Sequence, residues 1–259
     1  MTLEKRLKGR LALVTGASRG LGRAAALALA REGASVIITA RSQGALEALD
    51  DEIRSLRGQA TILALDLRHW DRIDQLGPTI YQRWGKLDIF VASAGILGPL
   101  SPLPHVTADS WAAVMDIDLN ANWRLIRTLD PVLKASDAGR AIFVSSGAAR
   151  NCRAYWGPYS VAKAGLEALA RTYAAECEST PVRVNAVDPG AMRTGMRAKA
   201  YPGEDPATLP DPSEIAPLIV ALSLPTSTRN GETILYREWK TAERAAESLA
   251  TMQDGLDAS

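Results

Sequence analysis

Short, nearly continuous apolar runs alternate along this chain with longer stretches whose apolar residues recur at helical spacing. Runs that are apolar throughout are typical of strands buried on both faces of a parallel sheet. Regular alternation of such strands with helices predicts an α/β fold, a doubly wound parallel sheet with helices on both faces. The predicted strands cover residues 11–15, 35–40, 60–65, 87–92, 140–145, 182–187 and 232–236.

Most of the chain is expected to form a single domain. No internal repeat, low-complexity segment or linker divides residues 1–236. A chain of 259 residues of which 47% are hydrophobic can bury a full core as one unit. Residues 237–259 are expected to form a C-terminal helical extension or tail, in which residues 237–252 are Ala/Glu-rich with apolar residues on one helical stripe, and which either docks on a neighbouring subunit or frays.

Charge and composition favour small-molecule partners. The 30 Lys and Arg residues nearly balance the 29 Asp and Glu residues, so no bulk attraction to nucleic acid or to a membrane surface is expected. The N-terminus lacks an apolar signal core, and no apolar run is long enough to span a bilayer, which predicts a cytoplasmic protein. The two cysteines and two histidines fit no metal-ligand spacing, so no metal site is predicted.

A glycine-rich turn joins the first predicted strand to a helix predicted over residues 21–30. Glycines allow a sharp turn and a close approach to a pyrophosphate, whose charge is attracted by free N–H groups and the helix dipole. A glycine-rich turn that binds nothing is the alternative, which the strand–turn–helix setting disfavours. The predicted phosphate cradle consists of Gly16, Ser18, Arg19, Gly20, Leu21 and Gly22.

A second pattern pairs a phenol with an ammonium. Tyr159 and Lys163 are four residues apart in a stretch with helical spacing, so both side chains lie on one helix face. The ammonium favours the tyrosinate and should lower the pKa of the phenol, which provides acid/base chemistry without histidine. A chance pair on a solvated helix is the alternative. The context favours chemistry, because Ser146 ends a predicted strand 13 residues before the tyrosine.

Together these motifs resemble the short-chain dehydrogenase/reductase family. The resemblance rests on residues 15–22, Ser146, the Tyr159/Lys163 pair and residues 189–194, and it extends over residues 8–236. It implies a Rossmann-type fold and hydride transfer between a nicotinamide cofactor and a ketone or secondary alcohol. In that reaction Tyr159 would be the general acid/base, Ser146 would hydrogen-bond the substrate oxygen, and Lys163 would hold the nicotinamide ribose.

The resemblance also assigns cofactor contacts farther along the chain. Asp66 and Leu67 correspond to the family's adenine-binding pair, although Asp66 could instead cap the helix that follows it. Ala94 and Gly95 belong to a turn in which serine replaces the family's asparagine at residue 93, a small polar change that should keep the turn. The residues implied to hold the nicotinamide are Tyr159, Lys163, Pro189, Gly190 and Thr194.

The choice of cofactor can be argued from charge. Folds that bind NAD usually place an acid about 20 residues beyond the glycines to contact the ribose hydroxyls. Here Arg41 ends the second predicted strand, and Arg19 lies in the glycine turn. Two arginines offer charged hydrogen bonds to a 2′-phosphate, and Ser42 could add another. NADP(H) is therefore the preferred cofactor and NAD(H) the less favoured one.

One catalytic position departs from the family. Asp118 stands where the family usually has a catalytic asparagine, and its carboxylate should lie near Lys163. If the position acts through its main-chain carbonyl, catalysis is preserved; if the amide is needed, turnover falls. This departure leaves a different class open, a catalytically weak nucleotide-binding sensor or assembly protein.

Substrate and assembly are less constrained. Residues 195–212 are where the family carries its substrate lid, and they do not distinguish a 3-oxoacyl thioester reductase from a hydroxysteroid or small-carbonyl reductase. Lid cations could favour an acidic substrate, but solvated charge is the simpler interpretation. Helices predicted at 119–134 and 158–178 correspond to those through which family members pair, so a homodimer or homotetramer is expected.

Overall fold

Seven parallel strands form one sheet in a computed structural model that describes residues 5–243 and 245. The spatial order is β3-β2-β1-β4-β5-β6-β7, and every neighbouring pair is parallel. The order reverses between β1 and β4, as in doubly wound sheets, so the predicted Rossmann-type fold is confirmed. The strands are β1 (Leu11–Thr15), β2 (Ser35–Ala40), β3 (Gln59–Ala64), β4 (Ile89–Ala92), β5 (Arg140–Val144), β6 (Arg183–Asp188) and β7 (Thr233–Leu235).

The strand boundaries follow the apolar pattern closely, and one difference has a clear cause. The first two strands have the predicted bounds, whereas β4 begins at Ile89 rather than at residue 87. Leu87 is fully buried, but its N–H donates to the carbonyl of Val132, 2.9 Å away. Its backbone is therefore hydrogen-bonded outside the sheet, although its side chain continues the apolar run.

Helices cover both faces of the sheet, as predicted. The α-helices of the described residues are α1 (Gly20–Arg31), α2 (Gln43–Ser55), α3 (Trp70–Asp74), α4 (Leu76–Trp84), α5 (Ala108–Met115), α6 (Ala121–Lys134), α7 (Ala148–Asn151), α8 (Gly157–Glu176), α9 (Gly195–Ala200) and α10 (Ala216–Ser223).

The two faces have separate apolar cores. On one face, α1, α2 and α10 pack against alternate residues of β1, β2 and β4. On the other, α4, α6 and α8 cover the remaining apolar residues of the same strands and of β5 and β6. Phe90 and Phe143 meet edge to face there, with ring centroids 5.7 Å apart and an interplanar angle of 89°. All five residues of β1 are buried. Because closely packed interiors are rigid, the carboxyl ends of the strands are held in fixed positions along one edge of the sheet.

A π-helical turn, Asp116–Asn120, joins α5 to α6. The sequence pattern gave no indication of this turn. A π turn inserts one extra residue into the helical repeat and occurs often at functional sites. Here it contains Asp118, whose side chain is fully buried.

The first part of the C-terminal extension packs on the domain. Residues 236–243 are helical. Trp239 packs against the core on the α1 side of the sheet and stacks on Tyr236, with ring centroids 6.3 Å apart. Lys240 pairs with Glu214, in the segment that precedes α10. Most of the predicted extension lies outside the described residues, so its docking on a neighbouring subunit remains a prediction.

Within residues 5–243, no helix combines the length and the apolar character that a bilayer span requires.

Candidate functional site

A cleft of about 1060 Å³ opens where the strand order reverses, beyond the carboxyl ends of β1 and β4. Ligands of doubly wound sheets bind at this place because the crossing helices diverge there and leave a crevice. Twelve of the predicted cofactor-binding residues line it. They are Gly16, Ser18, Arg19, Gly20, Leu21, Arg41, Ser42, Asp66, Leu67, Ala94, Gly95 and Thr194.

Two glycines of the turn after β1 are required by close backbone packing. Gly16 has φ +65°, and a Cβ there would lie 2.8 Å from the Cα of Ala94. A Cβ on Gly22 would lie 2.4 Å from the carbonyl oxygen of Gly16. Gly22 is buried and does not line the cleft. It therefore serves the predicted cradle by letting α1 approach β1, as a helix–strand packing glycine does.

Thr15 fixes the opposite wall of the cleft. Its buried Oγ1 accepts hydrogen bonds from the N–H groups of Ser93 and Ala94, at 3.1 and 3.2 Å. This contact joins the turn after β4 to the end of β1 and keeps the wall in place despite the serine at residue 93. The sequence signal for it was a polar residue that ends an otherwise apolar strand.

Two exposed arginines stand where the cofactor argument placed them. Arg19 and Arg41 line the cleft together with Ser42. Within residues 5–243, no carboxylate forms a salt bridge with either guanidinium. Both charges are thus available to an anion that enters the cleft.

Asp66 is engaged by an arginine that the sequence interpretation overlooked. Arg68 donates from its side chain to Asp66, with an Nη2–Oδ2 distance of 2.6 Å, and from its backbone N–H to Oδ1 at 3.0 Å. These contacts lower the pKa of the Asp66 carboxyl to about 2. The alternative that Asp66 caps α3 is wrong, because the cap position is His69 and no side chain accepts there. Arg68 also lines the cleft.

The predicted catalytic side chains meet beside this cleft. Tyr159 lies in the first turn of α8, directly after Pro158, a residue suited to the start of a helix, and Lys163 follows one turn later. Both are buried, and the Lys163 Nζ lies 5.6 Å from the centroid of the Tyr159 ring. Nζ donates to the carbonyl of Val144, at the end of β5, at 3.0 Å. Ser146 follows that strand, and its hydroxyl is close enough to the Tyr159 phenol to lower the pKa of that phenol.

The electrostatics of Tyr159 differ from the expectation. Burial raises the pKa of its phenol, and this effect outweighs the opposing effects of the Lys163 charge and of the Ser146 hydroxyl. The carboxylates of Asp118 and Asp188 raise the pKa further. The expected lowering by the lysine is present, but the net direction is upward because a buried phenolate is poorly solvated.

Asp118 connects the π turn to both parts of the site. Its Oδ1 accepts from the N–H of Ile96 at 2.8 Å, and its Oδ2 lies 3.6 Å from the Lys163 Nζ. A Cβ on Gly95 would lie 3.0 Å from that Oδ2, so the carboxyl group sits against the cleft wall. Burial raises the pKa of Asp118 despite the lysine. Its main-chain carbonyl accepts from Asn122 Nδ2 at 2.9 Å.

A buried polar network supports the loops after β5 and β6. Glu167 accepts from Ser145 Oγ at 2.7 Å and from Arg150 at 2.9 Å, and Arg150 also pairs with Asp188. Asp188 Oδ1 accepts from the N–H of Gly190 at 2.9 Å. Ser145 is therefore committed to Glu167, which leaves Ser146 as the serine beside Tyr159.

Not every predicted cofactor residue faces the cleft. Pro189 is buried, and neither it nor Gly190, which has φ +71°, is among the lining residues. The next segment reaches the cleft through Thr194, whose Oγ1 caps α9 by accepting from the N–H of Arg197 at 3.1 Å. Its Cγ2 would lie 3.5 Å from a Cβ on Gly20, so it stands directly over the glycine turn.

Comparisons with known proteins agree with this geometry. The sequence model of one family, described as short chain dehydrogenase, matches residues 10–205. The chain is 38% identical over 219 residues to the uncharacterized oxidoreductase YciK of Escherichia coli strain K12, covering 83% of this chain and 86% of that protein.

Solved structures are similar over nearly the whole chain. A short chain dehydrogenase from Pseudomonas syringae has a TM-score of 0.87 and 39% identity, with 91% of this chain and 98% of that one covered. A short chain dehydrogenase from Shigella flexneri 2a strain 301, solved in complex with NADP, has a TM-score of 0.85 and 36% identity, with 90% and 99% covered.

Proposed function

Because the chain belongs to the short-chain dehydrogenase/reductase family, we propose that it transfers a hydride between NADP(H) and a ketone or secondary alcohol, with Tyr159 as the general acid/base. The observation that carries the proposal is the buried pair of Tyr159 and Lys163, with Ser146 next to the phenol, beside the nucleotide-sized cleft. A chance pairing of tyrosine and lysine on a solvated helix would leave both side chains exposed.

The cleft fits a dinucleotide. Gly16 and Gly20 have positive φ, and no side chain at these positions blocks the approach of a pyrophosphate to the backbone at the start of α1. Asp66 and Leu67 line the cleft beyond β3, where the family binds adenine. When bound, the nicotinamide supplies the hydride for reduction or takes it up in oxidation.

The preference for NADP(H) rests on charge. Arg19 and Arg41 both face the cleft, and no acid at the end of β2 is placed to select ribose hydroxyls. An arginine beside a phosphate gives short, charge-assisted hydrogen bonds that a ribose hydroxyl cannot match. The NADP in the related Shigella flexneri structure supports the same preference for this chain.

Each side chain of the site has a separate role in carbonyl reduction. Negative charge grows on the carbonyl oxygen during reduction and has to be stabilised and then protonated. Tyr159 supplies the proton, since its raised pKa keeps the phenol protonated near neutral pH. Ser146 hydrogen-bonds the same oxygen. Lys163 holds the nicotinamide ribose and, through its charge, limits the cost of the tyrosinate that remains.

Replacement of Tyr159 by phenylalanine tests the proposal. Tyr159→Phe removes only the hydroxyl, so NADPH should still bind while the reduction of ketones falls by at least about 100-fold, the usual scale for a general acid. The matched control is Tyr81→Phe, because Tyr81 is 65% exposed on α4 and lies outside the cleft. NADPH binding is measured by fluorescence titration and turnover by NADPH oxidation. Turnover retained in Tyr159→Phe would contradict the proposed role.

Asp118 supports a second candidate function. Its buried carboxyl group beside Lys163 replaces the family's neutral asparagine, which could leave a protein that binds the nucleotide and turns over slowly. A panel of ketones, quinones and acyl thioesters separates the two. Robust NADPH oxidation with any of them supports the enzyme, whereas tight NADPH binding without turnover supports the sensor or assembly protein.

A further inference from the structure

A second pocket, of about 480 Å³, adjoins the cofactor cleft. Its lining comes from the loop after β4, from α5 and from Lys199 on α9. Ile96 lines both the pocket and the cleft, and its N–H is the group that Asp118 binds. The pocket therefore joins the cofactor cleft at Ile96, the residue that hydrogen-bonds Asp118. Its size lies within the range of small-ligand pockets.

The lining of this pocket is mainly apolar. Leu97, Pro99 and Val114 form its walls, and Ser110 and Lys199 contribute polar side chains. Gly98 keeps the loop close to α5, because it has φ +69° and a Cβ there would lie 2.5 Å from a methyl group of Val114. An apolar chain that entered would displace water from these walls with a gain of about 25 cal/mol per Å² of buried apolar surface.

Large apolar side chains continue from the pocket onto the surface beside Tyr159. Leu100 is 38% exposed, and Leu103 and Tyr155 are each 60% exposed. They form one patch, since the N–H of Ser101 donates to the carbonyl of Tyr155 and Leu103 packs over Gly157. A contiguous exposed apolar patch at a site entrance is typical of a surface that binds an apolar ligand.

The cationic side chains of the predicted lid and of the residues directly before it differ in whether a carboxylate neutralises them. Arg193 pairs with Asp211 at 2.8 Å, and Arg197 pairs with Glu204 at 2.6 Å. Lys199 forms no salt bridge with any carboxylate of residues 5–243, although it lies on the same short helix as Arg197. Of these three cations, Lys199 is therefore the one that lines the second pocket and has no carboxylate partner within the described residues.

From these observations we infer that the substrate is a carbonyl compound with an apolar chain and an anionic group, and that Lys199 binds this anion. The inference rests on the proposed function. The carbonyl group would lie at Tyr159 and the apolar chain along the second pocket. Carboxylate and phosphate share the chemistry that Lys199 recognises, so substrates bearing either one are tested separately.

The test compares substrates that differ only in charge. A medium-chain ketone that ends in a carboxylate is compared with its methyl ester and with the matching phosphate, at saturating NADPH. In the wild type the anionic ketones should have the lower KM. Lys199→Gln should raise that KM about three- to fivefold, the scale of one solvent-exposed ion pair, and leave the ester unchanged. Calorimetric titration of the corresponding hydroxy acid into the NADP⁺-loaded protein should show the same loss of affinity.

Two further variants separate the charge from the pocket. Lys8→Gln is the matched control, because Lys8 is an exposed lysine near the opposite end of the sheet and should change neither KM. Ala113→Phe fills the pocket and should raise the KM of the acid and of the ester alike. Equal effects of Lys199→Gln on acid and ester, or none on either, would overturn the inference. Turnover of the ester would still support the proposed function in that case.

Discussion

Replacement of Asp118 by asparagine removes the carboxylate charge at this position and leaves its main-chain carbonyl unchanged. It therefore tests which of the two groups matters for catalysis. The side chains are nearly isosteric, so an amide Oδ1 can keep the hydrogen bond from the N–H of Ile96, now 2.8 Å. What changes is the group that faces Lys163. The carbonyl of residue 118, which bonds Asn122, stays in the π turn.

Two large effects oppose each other at this site. A charge pair 3.6 Å apart attracts by roughly 4–5 kcal/mol at an effective dielectric constant of about 20. Burial of a carboxylate costs several kcal/mol as well. The raised pKa of Asp118 indicates that burial is the larger effect. Because asparagine is nearly isosteric with aspartate and the main-chain carbonyl of residue 118 is unchanged, we expect Asp118→Asn to change turnover by less than about tenfold, or 1.4 kcal/mol of barrier.

The pH dependence gives a sharper readout than the rate. Asp118 raises the pKa of Tyr159, so its neutralisation should lower that pKa and move the tyrosine limb of the kcat/KM profile to lower pH.

The pH dependence of folding stability should change as well. An acid with a raised pKa binds more protons in the folded state, so wild-type stability falls as pH rises from the usual carboxyl pKa through the folded one. The variant should lack this loss.

The assay is NADPH oxidation between pH 5 and about 10, with thermal unfolding over the acid part of that range. Asp116→Asn is the matched control, because Asp116 lies in the same π turn but binds Asn120 at 2.9 Å rather than facing Lys163. An activity gain well above tenfold in Asp118→Asn would refute the reasoning and support a naturally weakened enzyme. An unchanged pH profile would show that Asp118 exerts no field on Tyr159.

Two other predictions follow from exposed residues. Arg41→Asp should weaken NADPH binding at least about tenfold through the lost charged hydrogen bond, and should strengthen NADH binding; a wild type that binds NADH more tightly in fluorescence titration would contradict the charge argument. Wild-type protein should be a dimer or tetramer by light scattering at micromolar concentration. Trp123, 47% exposed on α6, is a candidate contact, so Trp123→Glu should shift the protein toward monomer, and a monomeric wild type would contradict the expectation.

The strands and the glycine turn could be predicted because their signals are local. A buried parallel strand needs a continuous apolar run, which fixed the bounds of β1 and β2. Gly22 is required by a backbone contact with Gly16, which is close in sequence, whereas Gly16 itself packs against the distant Ala94. These features depend on few distant residues, so the linear pattern is sufficient.

The missed features depend on contacts across the fold. The π turn around Asp118 has ordinary helical residues on either side, and its partners Ile96 and Lys163 come from other elements. The pairing of Arg150 with both Glu167 and Asp188 likewise joins three elements. No spacing along the chain indicates such contacts, because the fold and not the local sequence brings these side chains together.

The pKa of Tyr159 shows the same limit of prediction from the sequence. The sequence places one cation near the phenol, and that cation alone favours the tyrosinate. The fold adds burial and the carboxylates of Asp118 and Asp188, which together reverse the direction of the shift. A higher pKa makes the phenol a weaker acid, so in the proposed reaction proton donation to a carbonyl oxygen depends on the charge of Lys163, which favours the tyrosinate that remains.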